Sequence, residues 1–549
     1  MDKKSMQRLL STAIAFLLFV LQGFSLVIVA AENSYDMDVV QSGLEEKGVL
    51  RVGMEANYAP FNWSQTSVTD NAIEISNSPG EYANGYDLQI AVHLAEELDL
   101  ELEIVKLEWD GLPPALESGM IDAIIAGMTP TPERKEQLDF SNSYYTSDLV
   151  LVVNSNSELA TAQTLEDFAG MRVTGQLNTF HYDLIEQIPN VDLQTAMDSF
   201  PTMISSVLSN KSDAYISERP GALAAVAANP ELTYVEFGEG DGFDTGDIDT
   251  TIAVGLRKGS PLVEPINQAL STISENERNQ LMEEMVLLNE RGEVSGFWAG
   301  VVSIWGSYGS RFLIGARNTL IIALVSTFIG SVIGLLIAIY RSFPADRKGK
   351  PIRQVLYRIF EFIIMAYVEI FRGTPMMVQA MMIFYGSKLF LDIDLSSLMA
   401  AFIVVSVNTG AYLTEVFRGG IIGVDPGQME AAEAIGMTHF QSMRFVVLPQ
   451  AIRSALPALG NEFVVNIKDT SVLNVIAVTE LFFITRSAAG STYLTFQTFF
   501  IASVLYFVMT FISTRLLSLL EKRLNGADSY TLHLSSTMPI VEKEGDRHE

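Results

Sequence analysis

Three uncharged stretches in the second half of the chain, Asn318–Tyr340, Leu395–Thr414 and Ser487–Thr514, are each long enough to cross a bilayer, which takes roughly 20 apolar residues. Two weaker candidates accompany them. Ile359–Ser387 is broken by Glu361, Glu369, Arg372 and Pro375, and the stretch around Thr470–Thr485 follows Lys468 and Asp469 and contains Glu480. Five spans are therefore expected. Arg341, Arg347, Lys348, Lys350, Arg353 and Arg358 follow the first span, and Lys522 and Arg523 follow the last. Basic residues of this kind favour the cytoplasmic side. Five crossings then place the start of the first span outside and the C-terminus inside. Charged or polar residues within the spans, among them Glu361, Glu369, Asn408 and Glu415, either line a pathway or pair across helices.

The first half has the opposite character. Glu32–Gly296 holds 12 basic and 46 acidic residues, against 23 and 19 in the remainder. A length of 549 residues implies two or three domains, and the break lies near Gly296. A net charge of −30 argues against nucleic-acid binding. The chain has no cysteine, which excludes disulfides, thiolate zinc sites, cysteine nucleophiles and a lipid-modified N-terminal cysteine. Lys3, Lys4 and Arg8 precede an apolar run from Leu9 to Ala31, so residues 1–31 read as a secretory signal or an uncleaved anchor. Either would export the acidic block behind it.

Residues 45–295 read as α/β. Strand-like runs at Val49–Met54, Ile121–Ala126, Leu149–Val153 and Thr250–Leu256 alternate with helical patterns at Tyr86–Leu98 and Met197–Ser209. Ser64–Asn84 is polar and turn-rich and reads as a surface loop or flap. The tail, 525–549, is polar and reads as disordered and cytoplasmic.

Two sets of motifs resemble known families. Asn57-Tyr58-Ala59-Pro60-Phe61, Gly85-Tyr86-Asp87, Trp109-Asp110-Gly111-Leu112, Ser118–Ile124, Thr131-Pro132-Glu133-Arg134 and Asp139-Phe140-Ser141 occur in order. They resemble extracellular binding proteins for polar amino acids, of the two-lobed, type II periplasmic-binding-protein kind. Arg372-Gly373-Thr374-Pro375, Ala411–Arg418, Gly427-Gln428, Glu430-Ala431-Ala432, Gly436, Leu448-Pro449 and Asn461-Glu462 through Lys468–Ser471 resemble the permeases of ABC importers for such amino acids, over roughly 310–523. The whole resembles a fused binding protein and all-α permease of about five helices. Lobe one would be about 45–148 plus 250–293, and lobe two about 154–246. The hinge would lie in the strands near Leu149–Val153 and Thr250–Leu256, and ligand would favour the closed state.

A free amino acid offers a carboxylate, an ammonium and a side chain. Thr131 and Pro132 read as a helix N-cap and first position, and Arg134 adds a fork that can grip a carboxylate. The resemblance gives Arg134 that role; an ordinary surface charge is the plain reading. It places Gly127 and Thr129 at the same end of the pocket. Thr179 matches a second-lobe position that also reaches the carboxylate, although Asn178 stands where the family has Gly. Glu218 matches an acid, usually Asp, that faces the ammonium, the plain reading being an exposed Glu beside Arg219. Tyr58 and Trp109 match aromatic residues that sandwich the ligand's stem, or they pack a core. Glu55 matches an acidic position reading the ligand's polar end, which leans toward glutamine or a basic amino acid and away from glutamate and aspartate.

Asp425-Pro426-Gly427-Gln428 reads as a helix start with a capping box, and Gly436 as its left-handed end. The resemblance makes the loop of about 425–450, with Glu430, Ala431, Ala432 and Gly436, a cytoplasmic contact for an ATPase. No Gly-x-x-x-x-Gly-Lys-Ser/Thr motif occurs, so ATP would bind a separate ATPase chain and this chain would hold no cofactor or metal. One permease half per chain implies a homodimer, or a second related permease chain. The expected place is the cell membrane, with the binding domain outside. The alternative is a ligand-gated channel or receptor using the same binding domain; an enzyme finds no support, with five His in no metal-ligand cluster and no nucleophile motif.

Overall fold

The computed structural model describes residues 35–69, 71–146, 148–238, 240–245, 250–288, 296–342 and 351–525. The signal or anchor expected at 1–31 and all but the first residue of the tail lie outside these. Two five-stranded sheets form the first half, each covered by helices. In lobe one the order is Glu101–Lys106, Val49–Met54, Ala123–Ile124, Thr251–Arg257, Leu138–Thr146. In lobe two it is Asp192–Leu193, Arg172–Thr174, Ala214–Glu218, Leu149–Asn154, Leu232–Val235. The first three strands of each run parallel, and the fourth is antiparallel to its neighbours on both sides. In both lobes the fourth strand is the one the chain enters directly after crossing between lobes. The crossings lie between Thr146 and Leu149 and between Val235 and Thr251, so the strands expected to form the hinge are its flanks.

Apolar sequence explains the burial. Leu50, Val52 and Met54 from one strand, with Ile104 and Ile124 from its neighbours, are fully buried in lobe one; Leu151, Val153, Val173 and Ile216 fill lobe two. Parallel strands covered on both faces need such runs. The helix expected at Met197–Ser209 begins later, at Phe200, with Pro201 in its first turn. Only Ala123–Ile124 of the run Ile121–Ala126 pairs as strand. Ser64–Asn84 is no simple flap. Asn62–Gln65, Ile73–Glu74 and Tyr82–Asn84, with Asn57–Tyr58, form a small four-stranded sheet. These strands are two to four residues long, too short to show a period of two in sequence.

The second half is helical. Among the described residues, Phe297–Ser342, Ser397–Ile422 and Thr495–Arg523 are long and apolar enough to cross a membrane. A fourth candidate is the bent pair His439–Ile476 and Leu481–Thr492, which turn by 55°. Two expectations change. Ile359–Ser387 is two helices, Pro351–Gly373 and Met376–Leu391, because Pro375 has no N–H to continue the first. The break is satisfied by Gln379, which donates to Thr374 O at 2.9 Å and Phe371 O at 3.0 Å. Thr470–Thr485 is not one continuous helix. It holds a 3-10 turn, Thr470–Ile476, and the start of the bent helix, while the long helix before it is Leu448–Asp469. Nor does Ser487–Thr514 run as one helix: Tyr493, in the left-handed region at φ +55°, separates Leu481–Thr492 from Thr495–Asn525.

Small residues bring the membrane helices together. A Cβ on Gly330 or Gly334 would lie 2.8 Å from Thr409 or Leu413 of Ser397–Ile422. Asn466 donates to Thr327 and Thr409 at 2.8 and 3.0 Å, tying three helices. Asn408 donates to Gln379 and to Phe371 O, and Glu415 pairs with Arg341 and Arg418. These two polar residues thus join helices. Arg311, on the first helix, meets lobe one at Ser78, and Arg341 lies some 30 residues or ~45 Å further along it. The Glu415, Arg418 and 425–447 region therefore occupies the opposite end.

Candidate functional site

All eight residues singled out for a ligand line one cleft between the lobes: Glu55, Tyr58, Trp109, Gly127, Thr129, Arg134, Thr179 and Glu218. The space between them, part of it open to solvent, amounts to about 320 Å³. Topology puts them there. Glu55, Trp109 and Gly127 follow the carboxyl ends of parallel strands in lobe one; Thr179 follows one in lobe two, where Glu218 ends another. Open α/β sheets hold ligands at that edge.

Arg134 sits in the first turn of Pro132–Gln137, whose N-cap Thr131 accepts the Arg134 N–H at 3.3 Å. Its guanidinium donates to Thr129 O at 2.9 Å and across the cleft to Asn178 O at 3.0 Å. Its centre lies 5.1 Å from that of the Trp109 ring. Burial lowers its pKa to about 10, which leaves it cationic at neutral pH. Glu218 is buried beside His181, whose Nε2 is 3.1 Å from its Oε1, and it accepts the Tyr58 hydroxyl. Burial alone would raise its pKa; the neighbouring His181 and the bond from Tyr58 outweigh that and hold the carboxyl below its usual range. Glu55 is the contrasting acid. It is 3% exposed, its Oε1 has no partner, and burial followed by the charge of Glu108 pushes its pKa to about 8.

Tyr58 stacks on Phe200 of lobe two, with centroids 4.1 Å apart. Gly127 has φ +65°, and a Cβ there would stand 3.1 Å from the Tyr58 ring, so glycine answers both backbone and space. The buried Asp87 fixes this loop. It accepts from Asn62 at 2.7 Å and from the Tyr144 hydroxyl at 2.8 Å, and that hydroxyl accepts the Gly127 N–H at 3.3 Å. The motif around Asp87 thus shapes the cleft without lining it. Asn178 donates to Asp110 at 2.8 Å, a further bond across the lobes. The cleft is shut.

His181, Gln176 and Phe200 also line the cleft and were not singled out in the sequence. Of these, His181 stands two residues past Thr179, just beyond the second-lobe motif. Chemically the cleft offers a cationic fork, an ionised carboxylate, an acid whose protonation is poised near neutrality, and aromatic walls. That suits a small zwitterion with a polar tail.

Glu430, Ala431, Ala432 and Gly436 gather elsewhere, at the far end of the membrane helices. Asp425 caps Pro426–Ala434 by accepting the Gly427 N–H at 2.7 Å, without the return bond expected of Gln428. Gly436 has φ +90°. Ala432 is buried, while Glu430, Ala431 and Gly436 are exposed, as are Ile435 and Phe440.

A two-lobed solute receptor joined to a bundle of membrane helices defines a class, and comparison agrees. Residues 50–286 match the bacterial extracellular solute-binding proteins, family 3, and residues 330–526 match the binding-protein-dependent transport system inner membrane component. The chain belongs to the amino-acid permeases of ABC transporters, with a substrate-binding domain fused ahead of the permease. The probable amino-acid permease YxeN of Bacillus subtilis is 36% identical over 217 residues, 39% of this chain and 95% of its own length. The glutamine transport system permease GlnP of Escherichia coli is 32% identical over 211 residues, 38% of this chain and 91% of its own. A substrate-binding protein of an amino-acid ABC transporter from Streptococcus pneumoniae, solved with L-arginine, is 27% identical and covers 45% of this chain and 97% of its own, at a TM-score of 0.38.

Proposed function

We propose that this chain captures a polar amino acid outside the cell and passes it to its own permease half within an ATP-driven importer. The observation that supports this is the cleft that gathers Arg134, Glu218 and Glu55, which would answer a carboxylate, an ammonium and a side chain in turn. Relatives include permeases named for glutamine and for arginine transport, and both cargoes suit an acid at Glu55. Glu55→Gln tests this: binding of a cationic amino acid should fall about a hundredfold and that of glutamine about tenfold or less, because the lost partner is a charge in one case only. Equal losses for both would remove Glu55 from the role of side-chain reader.

Five crossings fit the contacts: Phe297–Ser342, the broken pair 351–391, Ser397–Ile422, the region 448–476 and Thr495–Asn525, with Leu481–Thr492 lying beneath the binding domain. The binding domain would then face outward and the 425–447 region the cytoplasm. The exposed helix with Glu430 and Ala431 would dock on an ATPase, which binds the ATP, and a homodimer would supply two permease halves. A channel has no use for that helix.

A further inference from the structure

Leu481–Thr492 belongs to the permease, yet one of its side chains reaches both lobes of the binding domain. Arg486 Nη2 is 2.8 Å from Glu108 Oε2 of lobe one, and Arg486 Nη1 ion-pairs with Asp198 of lobe two. Its side chain is 15% exposed. Glu108 is held further by Asn474, which donates to it at 2.9 Å. Asp198 stands next to Ser199, the N-cap of the helix that begins with Phe200, the residue that meets Tyr58 across the cleft.

Closing the lobes therefore gathers three carboxylates at one edge of the cleft: Glu55 and Glu108 from lobe one, Asp198 from lobe two. Glu108 and Asp198, like charges brought together from two lobes, oppose closure, and Glu55, its pKa pushed to about 8, adds to this only as it ionises. Burial and both neighbouring acids raise the pKa of Glu55, while Arg486 lowers it, as a cation set among the three must. We propose that Arg486 reads closure: it is a positioning residue whose full site, two carboxylates from two lobes, exists only when the lobes are shut. A contact made in one state alone shifts the balance toward that state. The permease thus favours the loaded, closed receptor, and by reciprocity the loaded receptor holds the permease's bent helix in one position. This rests on the amino-acid reading above.

The test uses the full chain in lipid nanodiscs, with L-arginine and L-glutamine as probes. Since the chain lacks cysteine, Glu96→Cys in lobe one and Lys211→Cys in lobe two can carry a dye pair reporting lobe distance. Arg486→Gln should weaken binding about fivefold to tenfold and lower the closed fraction at half-saturating probe. Asp198→Asn should weaken it about threefold, and its side chain, 56% exposed, makes a folding failure a poor explanation. The double variant should bind no worse than Arg486→Gln alone, and Arg486→Lys should recover part of the loss. Equal affinity and closure in Arg486→Gln and the wild type, or losses that multiply in the double variant, would overturn the proposal. A wild-type chain that binds neither probe would instead overturn the amino-acid reading.

Discussion

The two lobes sit on the membrane helices in very different ways. Lobe one is seated through a buried, charged and hydroxyl-rich contact. Glu81, fully buried, lies 3.5 Å from Lys106 Nζ and 3.6 Å from Arg311 Nη2 of the first membrane helix, and it accepts from Ser487 of the bent helix at 2.9 Å. Lys106 donates to Ser487 at 2.7 Å. Ser64 Oγ meets Ser487 and Ser491 Oγ at 2.9 and 3.1 Å, Thr479 donates to Asn77 O at 2.8 Å, and Tyr493 donates to Ala59 O at 3.2 Å. Lobe two makes two polar contacts among the described residues, the Arg486–Asp198 pair and a bond from Thr495 to Pro201 O at 3.2 Å. One lobe is built into the permease; the other leans on it. The difference teaches which half can move: opening by lobe two breaks little, whereas lifting lobe one would strand buried charges.

Stranding those charges gives the largest expected effect. Glu81→Ala leaves Lys106 and Arg311 buried without their common anion, a loss of about 3–5 kcal/mol. The thermal midpoint of the full chain should drop by several degrees, and an unchanged midpoint would mean that the seat contributes no stability. Gly490→Val should wedge the same seat apart. A Cβ at position 490 would lie 2.4 Å from Asn57 Cβ and 3.0 Å from its Cα, an overlap costing about 1–3 kcal/mol. Protease sensitivity of the junction between the domains measures it.

The pH dependence of binding comes next. Glu55 in the shut cleft has its pKa raised to about 8 from 4.5, so its contribution to stability is full below pH 4.5 and is lost as pH rises through 8. A cationic cargo needs the ionised acid. Its affinity should therefore climb by up to about tenfold per pH unit below pH 8 and level off above it, while that of glutamine changes less. Parallel profiles for the two would disconnect Glu55 from charge recognition. The smallest effect belongs to the lighter contact: Thr495→Val removes one hydrogen bond to lobe two, about 0.5–1.5 kcal/mol at most, and should shift apparent affinity within roughly tenfold. A shift as large as that of Glu81→Ala on stability would erase the contrast between the lobes.

How much of this was legible in the sequence depends on the range of the interactions. Arg134, Thr129 and Gly127 lie within eight residues of one another, so a short motif carried the pocket's carboxylate end. Long apolar runs carried the membrane helices. The small sheet at Asn57–Asn84 was hidden by the shortness of its strands, and the helix Leu448–Asp469 was missed because it mixes Arg453, Pro457 and Glu462 with its apolar residues. The seat of lobe one was illegible for another reason. Ser64 and Ser491 are 427 residues apart, and Arg486 and Asp198 are 288 apart; no local spacing records such pairs. Ser487–Thr492 looked like the start of a span, whereas its small residues serve close approach to Asn57 and Ser64.

The most direct test of the account is calorimetric titration of the full chain in nanodiscs with Gln, Arg, Lys, His, Glu and Asp, repeated with Arg134→Ala. Tight binding of one polar or basic amino acid, weakened at least about a hundredfold by Arg134→Ala, is the result this cleft predicts. Binding of none of the six, or a cargo held equally well without Arg134, would contradict it.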